Sequence, residues 1–131
     1  MGKTLLTLAL CCIATSVIAQ GRWAYITKST NSGAVYIDTK TITNDSAWIK
    51  QYNIGRVNGR NTNAIAKHHF QCGKHTLSYS VWRETYADTG EVYNHGIDDK
   101  NSIIEIIPDT TTEVIYDYFC SHHPKPAEGD K

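Results

Sequence analysis

The feature that most restricts the fold of this chain is a series of short segments with the two-residue period of β-strands. The sequence contains eight Tyr and three Trp, and most of them lie in these segments together with many Thr, Val and Ile. Aromatic and β-branched residues favour strands. The segments are residues 22–28, 34–38, 47–53, 64–72, 76–87 and 91–95. We therefore expect six strands that form an antiparallel meander.

The connections between these segments are predicted from Gly, Asn and Asp. Residues 55–63, with the sequence GRVNGRNTN, show no periodic pattern, and we interpret them as a flexible loop or a wide hairpin connection. Asp88-Thr89-Gly90 fits a hairpin loop with the glycine in the left-handed conformation. Strict alternation along residues 76–87 would place Leu77, Tyr79 and Val81 on one face and Ser78, Ser80 and Trp82 on the other.

The pattern changes after Pro108, where residues 110–120 are typical of a helix. Thr110 and Glu113 form a capping box. The apolar stripe consists of two pairs, Val114 with Tyr118 and Ile115 with Phe119. A helix of this kind packed on one sheet face would cover apolar surface. We expect an α+β fold of about six antiparallel strands and one C-terminal helix, followed by a disordered tail at 121–131.

The first 19 residues have the parts of a secretion signal. Lys3 supplies positive charge, residues 4–14 are apolar, and Ala19 precedes the expected cleavage site. The alternative, a buried N-terminal helix, should carry a polar face. A lipid anchor is not expected, because Leu10 precedes Cys11 where a lipobox has a small residue. We predict a signal peptide at 1–19 and a domain at 20–120, exported to the periplasm or the outer cell surface.

Cleavage of the signal leaves two cysteines, Cys72 and Cys120. In an oxidising compartment such a pair is expected to form a disulfide, here between a strand end and the end of the helix. The alternative is a catalytic or metal-binding pair, but such pairs usually have a close C-x-x-C spacing. The sequence therefore predicts a helix tied to the sheet.

The charge balance narrows the classes of partner. Once Lys3 is removed, 12 basic residues face 13 acidic ones. Nucleic acids and anionic membranes bind to clustered positive charge, which this balance does not supply. The mature chain has no further apolar stretch of membrane-spanning length. We expect neither a nucleic-acid-binding protein nor an integral membrane protein.

Two patterns suggest enzymatic or metal chemistry. Asp88-Thr89-Gly90 matches the triplet of aspartic proteases, but those enzymes need two such aspartates, and a turn explains the triplet better. The six histidines are His68, His69, His75, His95, His122 and His123. Adjacent strand residues face opposite sides, so we expect surface or half-buried histidines, with weak adventitious Zn or Cu binding as the alternative. We assign no catalytic, cofactor-binding or metal-binding residue and expect no cofactor and no enzymatic activity.

Five short motifs follow one another along nearly the whole mature chain. They are Trp23-x-Tyr25-Ile26, Tyr36-x-Asp38, Ala47-Trp48-Ile49-Lys50, Phe70-x-Cys72, and Pro108 followed by Tyr118-Phe119-Cys120. In this order they resemble the bacterial surface-adhesin protein E family. The resemblance implies a six-stranded antiparallel sheet with a C-terminal helix tied on by a disulfide. It also implies an adhesin that binds host extracellular-matrix or serum proteins and can form a homodimer.

Two hypotheses about function follow. The first is a non-enzymatic, exported binding module whose sheet edges or aromatic face meet a protein partner. Trp23, Trp48 and Trp82 could line such a face, although packing would explain most of the aromatic residues. The second is a soluble periplasmic protein that binds a small ligand or inhibits an enzyme. A closed apolar pocket would favour the second hypothesis.

Overall fold

The fold consists of one antiparallel sheet and one helix, as expected for an α+β protein. A computed structural model describes residues 21–29, 31–98 and 102–122. The elements are β1 Trp23–Lys28, β2 Ala34–Asp38, β3 Ser46–Val57, β4 Arg60–Gln71, β5 Thr76–Tyr86, β6 Val92–Ile97, β7 Ile103–Glu105 and α1 Thr111–His122. The predicted signal peptide and residues 123–131 of the predicted tail lie outside the described residues. The first two residues of that tail belong to α1, so the tail was predicted to begin too early.

The order of the strands confirms the predicted meander. From β1 to β6 each strand is hydrogen-bonded to its neighbour in sequence. A seventh strand, β7, was not predicted; it pairs with residues 76–78 of β5, and β6 pairs with residues 81–85 of the same strand. Since β4 occupies the other side of β5, β6 and β7 follow one another along one edge.

The connection between β3 and β4 differs from the predicted flexible loop or wide connection. The two strands extend to Val57 and from Arg60, and only Asn58 and Gly59 lie between them. Their φ angles are 52° and 75°. A two-residue turn with positive φ at both positions matches the twist of the strands it joins, and Asn-Gly is the dipeptide that adopts it most readily. Residues 55–63 are therefore a tight hairpin.

The core lies between the sheet and α1. The sheet contributes Val35, Ile37, Ala47, Ile49, Phe70 and Leu77, and α1 contributes Ile115, Tyr116 and Phe119. We call the side of the sheet that carries Ile37, Ile49 and Phe70 the helix face, and the opposite side, with Tyr36, Trp48 and Ile65, the open face. The predicted pair of Ile115 and Phe119 is buried. The other predicted pair is divided, because Tyr118 packs against the core, whereas Val114 is 43% exposed.

A disulfide and the Tyr116 hydroxyl attach α1 to the sheet, and a capping residue stabilises its first turn. Cys120 forms a disulfide with Cys72, with the Cα atoms 5.6 Å apart, which confirms the predicted bond. The Tyr116 hydroxyl donates to the Gln71 carbonyl and accepts the backbone N–H of Gly73, at 3.0 and 3.1 Å. At the start of the helix, the Thr110 hydroxyl accepts the Glu113 N–H at 3.3 Å, as a capping residue does. Within the described residues no helix is long and apolar enough to cross a membrane.

Candidate functional site

A bulge in β5 decides which side chains face the helix. Lys67 pairs with Val81 and His68 pairs with Tyr79, so Ser80 has no opposite residue in β4. Trp82, which pairs with Ala66, is thereby on the helix face together with Tyr79. The predicted strict alternation was wrong here, because one extra residue reverses the face of everything that follows it.

The open face carries a shallow aromatic cavity of about 450 Å³. Trp23 on β1 pairs with Asp38 on β2. The register of β2 with β3 places Trp48 on the other side of Asp38. The cavity wall is completed by Arg22, Ile65, Val81, Trp82, Arg83, His95, Gly96 and Ile97. The structure thus brings the three predicted tryptophans to one cavity, although Trp82 points by register toward the helix face.

A row of tyrosines extends the aromatic surface beyond this cavity. Tyr36 lies edge-on between Tyr25 and Tyr52, with ring centroids 5.8 Å apart in both pairs. The Lys50 Nζ atom lies 4.4 Å from the Trp23 ring centroid, a distance at which a cation is attracted to the ring face. Tyr25 and Tyr52 are 52% and 39% exposed. The open face therefore presents aromatic rings and a cation to solvent.

Asp38 lies fully buried beneath this surface. Arg22 donates to both carboxylate oxygens, from Nε at 2.9 Å and from Nη2 at 2.7 Å. The backbone N–H of Lys40 and the hydroxyl of Thr41 also donate to Asp38, at 3.1 and 2.7 Å. The hydrogen bonds from Arg22 lower the pKa of Asp38 to about 2, against the opposing effect of burial. The carboxylate thus fixes the start of β1 to the end of β2, next to Trp23.

This pair predicts an acid-sensitive component of stability. The folded-state pKa of Asp38 is below its ordinary value, so the contribution is complete above about pH 4 and is lost as pH falls towards 2. We expect Asp38→Asn to lower the free energy of unfolding at pH 7, because the variant loses the charged interaction with Arg22. The loss should be only about 1–2 kcal/mol, because solvent screens the half-exposed Arg22. Urea denaturation of the wild-type protein and of Asp38→Asn at pH 7 and pH 2 measures this loss. The difference in the free energy of unfolding between the two proteins should be smaller at pH 2.

Asp88 provides a matched control for Asp38. Arg60 donates to both of its oxygens, at 3.0 and 2.6 Å, but the Asp88 side chain is 58% exposed. Asp88→Asn should therefore destabilise the protein less than Asp38→Asn does. Equal losses in the free energy of unfolding for the two variants would contradict the assignment of Arg22–Asp38 as the stronger of the two ion pairs.

A second cavity, of about 480 Å³, lies on the helix face. Its lining residues are Gln51, Ile54, Ala64, Ala66, His68, Tyr79, Trp82, Glu84, Asp98, Ser102 and Ile104. The bulge at Ser80 contributes directly, since it places Tyr79 and Trp82 in one wall. Gly96 leaves room for the Trp82 ring, because a side chain at position 96 would collide with that ring.

His68, at the inner end of this second cavity, is 1% exposed, which contradicts the expected surface or half-buried state. Its Nδ1 lies 3.2 Å from the Ala66 carbonyl oxygen and must donate to it, because that oxygen can only accept. Nε2 is therefore an acceptor, and it is buried with no hydrogen-bond partner. Burial lowers the pKa of His68 to about 4, so the ring is neutral at pH 7.

The remaining predicted features have ordinary structural roles. Asp88-Thr89-Gly90 forms the β5–β6 turn, with Gly90 at a φ of 72°, as the turn interpretation expected. His69 faces away from His68, and its Nε2 lies 2.8 Å from the Ser80 hydroxyl. In the part of the chain that the structure describes, no three His, Cys, Asp or Glu side chains are grouped so as to hold a metal ion.

Comparisons with known proteins found no relative of this chain. No family model, no curated protein and no solved structure matches the chain. The resemblance to the surface-adhesin protein E family stays a prediction from the sequence motifs.

Proposed function

We propose that this chain is an exported, non-enzymatic binding module of the surface-adhesin protein E type, which holds a protein partner on its open face. The observation that supports this best is the aromatic surface around Trp23, Trp48 and Tyr36, on the side of the sheet away from α1. By resemblance the partner is a host extracellular-matrix or serum protein. The module would act in the periplasm or at the outer cell surface.

The chemistry of the open face suits a protein partner. Tryptophan, tyrosine and arginine are enriched among the residues that contribute most of the binding energy at protein interfaces. Tryptophan and tyrosine also bury large areas with little loss of conformational entropy. Trp23 and Trp48 are already partly buried by their neighbours, so they are held in place before binding. The Arg22–Asp38 pair fixes the backbone beside Trp23, which further limits the entropy lost on association.

The described residues of the open face are also not arranged as a catalytic group. Asp38 is engaged by donors on both of its oxygens, and its low pKa makes it a poor general base at neutral pH. His95 lines the open-face cavity, but the described lining residues include no Ser, Thr or Cys that it could activate as a nucleophile. A binding role accounts for these residues without a reaction.

Trp48→Ala tests the proposal. We expect the mature domain to bind immobilised matrix or serum proteins in surface plasmon resonance, and Trp48→Ala to weaken that binding at least tenfold, or about 1.4 kcal/mol. Ile107→Ala is the control, because Ile107 is a 66% exposed apolar residue outside the open-face cavity. Circular dichroism should show that both variants stay folded. Wild-type binding that survives Trp48→Ala, or no wild-type binding to any of these proteins, would reject the proposal.

A further inference from the structure

We propose that the helix-face cavity is a second site, which binds a small elongated amine with an ammonium group at one end and a neutral hydrogen-bond donor at the other. This site goes beyond the proposed partner-binding role of the open face. The cavity volume, about 480 Å³, is in the range of small-molecule sites.

Small residues in β4 create the space. Ala64 and Ala66 form the floor of the cavity, whereas His68 and Phe70, the next residues on the same face, are large. Tyr79 and Trp82 stand on β5 opposite His68 and Ala66. With Ile54 and Ile104 across from them, these residues make an apolar and aromatic middle section that suits the body of an aromatic ligand.

The inner end of the cavity requires a donor. The His68 Nε2 atom is a buried acceptor without a partner, and an unsatisfied polar atom of this kind costs about 1–3 kcal/mol. Because His68 is neutral at pH 7, it would not repel a cationic ligand. A ligand hydroxyl or N–H that donates to Nε2 would remove the penalty, and a small shift of the side chains that cover this buried atom would admit it.

The outer part of the cavity is lined by the carboxylate of Glu84. Glu84 pairs with Ala64, four residues before His68, which corresponds to about 13 Å along a strand. One ligand atom therefore cannot satisfy both ends. An ammonium group near Glu84, with the Trp82 ring beside it, and a hydroxyl at His68 meet both requirements in one molecule.

Tyramine is the probe that matches this arrangement, since it has an ammonium group, an aromatic body and a phenolic hydroxyl. We expect isothermal titration calorimetry to show saturable binding to the wild-type mature domain. Phenethylamine, which lacks the hydroxyl, should bind at least tenfold more weakly. 3-(4-Hydroxyphenyl)propionate, which carries a carboxylate in place of the ammonium group, should not bind at the same concentrations.

Three variants assign the binding to the cavity. Ala66→Leu fills the floor and should abolish tyramine binding, and Glu84→Gln should weaken tyramine and phenethylamine alike. His68→Phe should reduce tyramine binding to the level of phenethylamine and leave phenethylamine unchanged. If His68→Phe does not fold, the ¹⁵N chemical shift of His68 Nε2 in the wild-type protein provides the same test, because it should move on titration with tyramine but not with phenethylamine.

The outcomes separate this site from the open face. Trp48→Ala should leave tyramine binding intact, and Ala66→Leu should leave partner binding intact. No saturable binding of tyramine, equal binding of the carboxylate analogue, or tyramine binding that survives Ala66→Leu would each overturn the inference, whatever the result for the protein partner.

Discussion

Replacing Cys72 and Cys120 together by serine is expected to lower the free energy of unfolding by about 4 kcal/mol. The bond links residues 48 positions apart, and a loop of this length restricts the unfolded chain by about that amount in the entropy model. Total stability of a domain this size is about 5–15 kcal/mol, so the variant should lose a large part of it. Urea denaturation of the oxidised wild-type protein and the double variant gives the difference.

The reduced wild-type protein is the matched control for this experiment. It lacks the bond but keeps both sulfur atoms, so its stability should fall to that of the double-serine variant, within the small effect of replacing sulfur by oxygen. A loss below about 1 kcal/mol in both proteins would mean that the unfolded chain is not restricted as the entropy model assumes.

Phe119→Ala is expected to cost about 3–5 kcal/mol, the usual loss for a buried phenylalanine. Phe119 is 0% exposed, and its ring stacks on Phe70 with the centroids 4.1 Å apart. Phe119 lies one residue before Cys120, so the disulfide should keep the end of α1 near the sheet. The structure would then not close fully over the void that the smaller alanine side chain leaves. Thermal and urea denaturation of the oxidised protein measure the loss.

Val114→Ala is the control for Phe119→Ala within the same helix. Val114 is 43% exposed, and surface substitutions of this kind change stability by about 0.5 kcal/mol or less. Comparable losses for the two variants would contradict the assignment of Phe119 to the buried interface between α1 and the sheet.

Local sequence patterns predict most of the fold. Alternation identified the six strands of the meander, and the capping box together with the pair of Ile115 and Phe119 identified α1. The tight turn between β3 and β4 also had a readable signal, since Asn58-Gly59 is a strong hairpin dipeptide; its neighbours Asn61 and Asn63 obscured it. The three-residue strand β7 is too short for a periodic pattern and could not be found in this way.

The two cavities depend on features that a single segment does not encode. The bulge at Ser80 exists only relative to the pairing of β4 with β5, so the shared face of Tyr79 and Trp82 required the register. The burial of His68 depends on packing against Phe70 and Tyr79, residues that lie on two strands. Residue type alone favoured a surface or half-buried histidine. The residues that line the cavities therefore depend on strand pairing, whereas the positions of most strands and of α1 follow from local sequence patterns.

The meander has a consequence for the order in which the chain folds. From β1 to β6 each strand pairs with its neighbour in sequence, so these pairings are joined by short loops, and pairings of small sequence separation favour rapid folding. The contacts of α1 are the exception, since Cys120 must reach a residue 48 positions earlier. During synthesis the strands also emerge before α1. The hairpins are thus expected to assemble first as a half-covered sheet, and docking of α1 followed by oxidation of the cysteines makes the finished fold difficult to reverse.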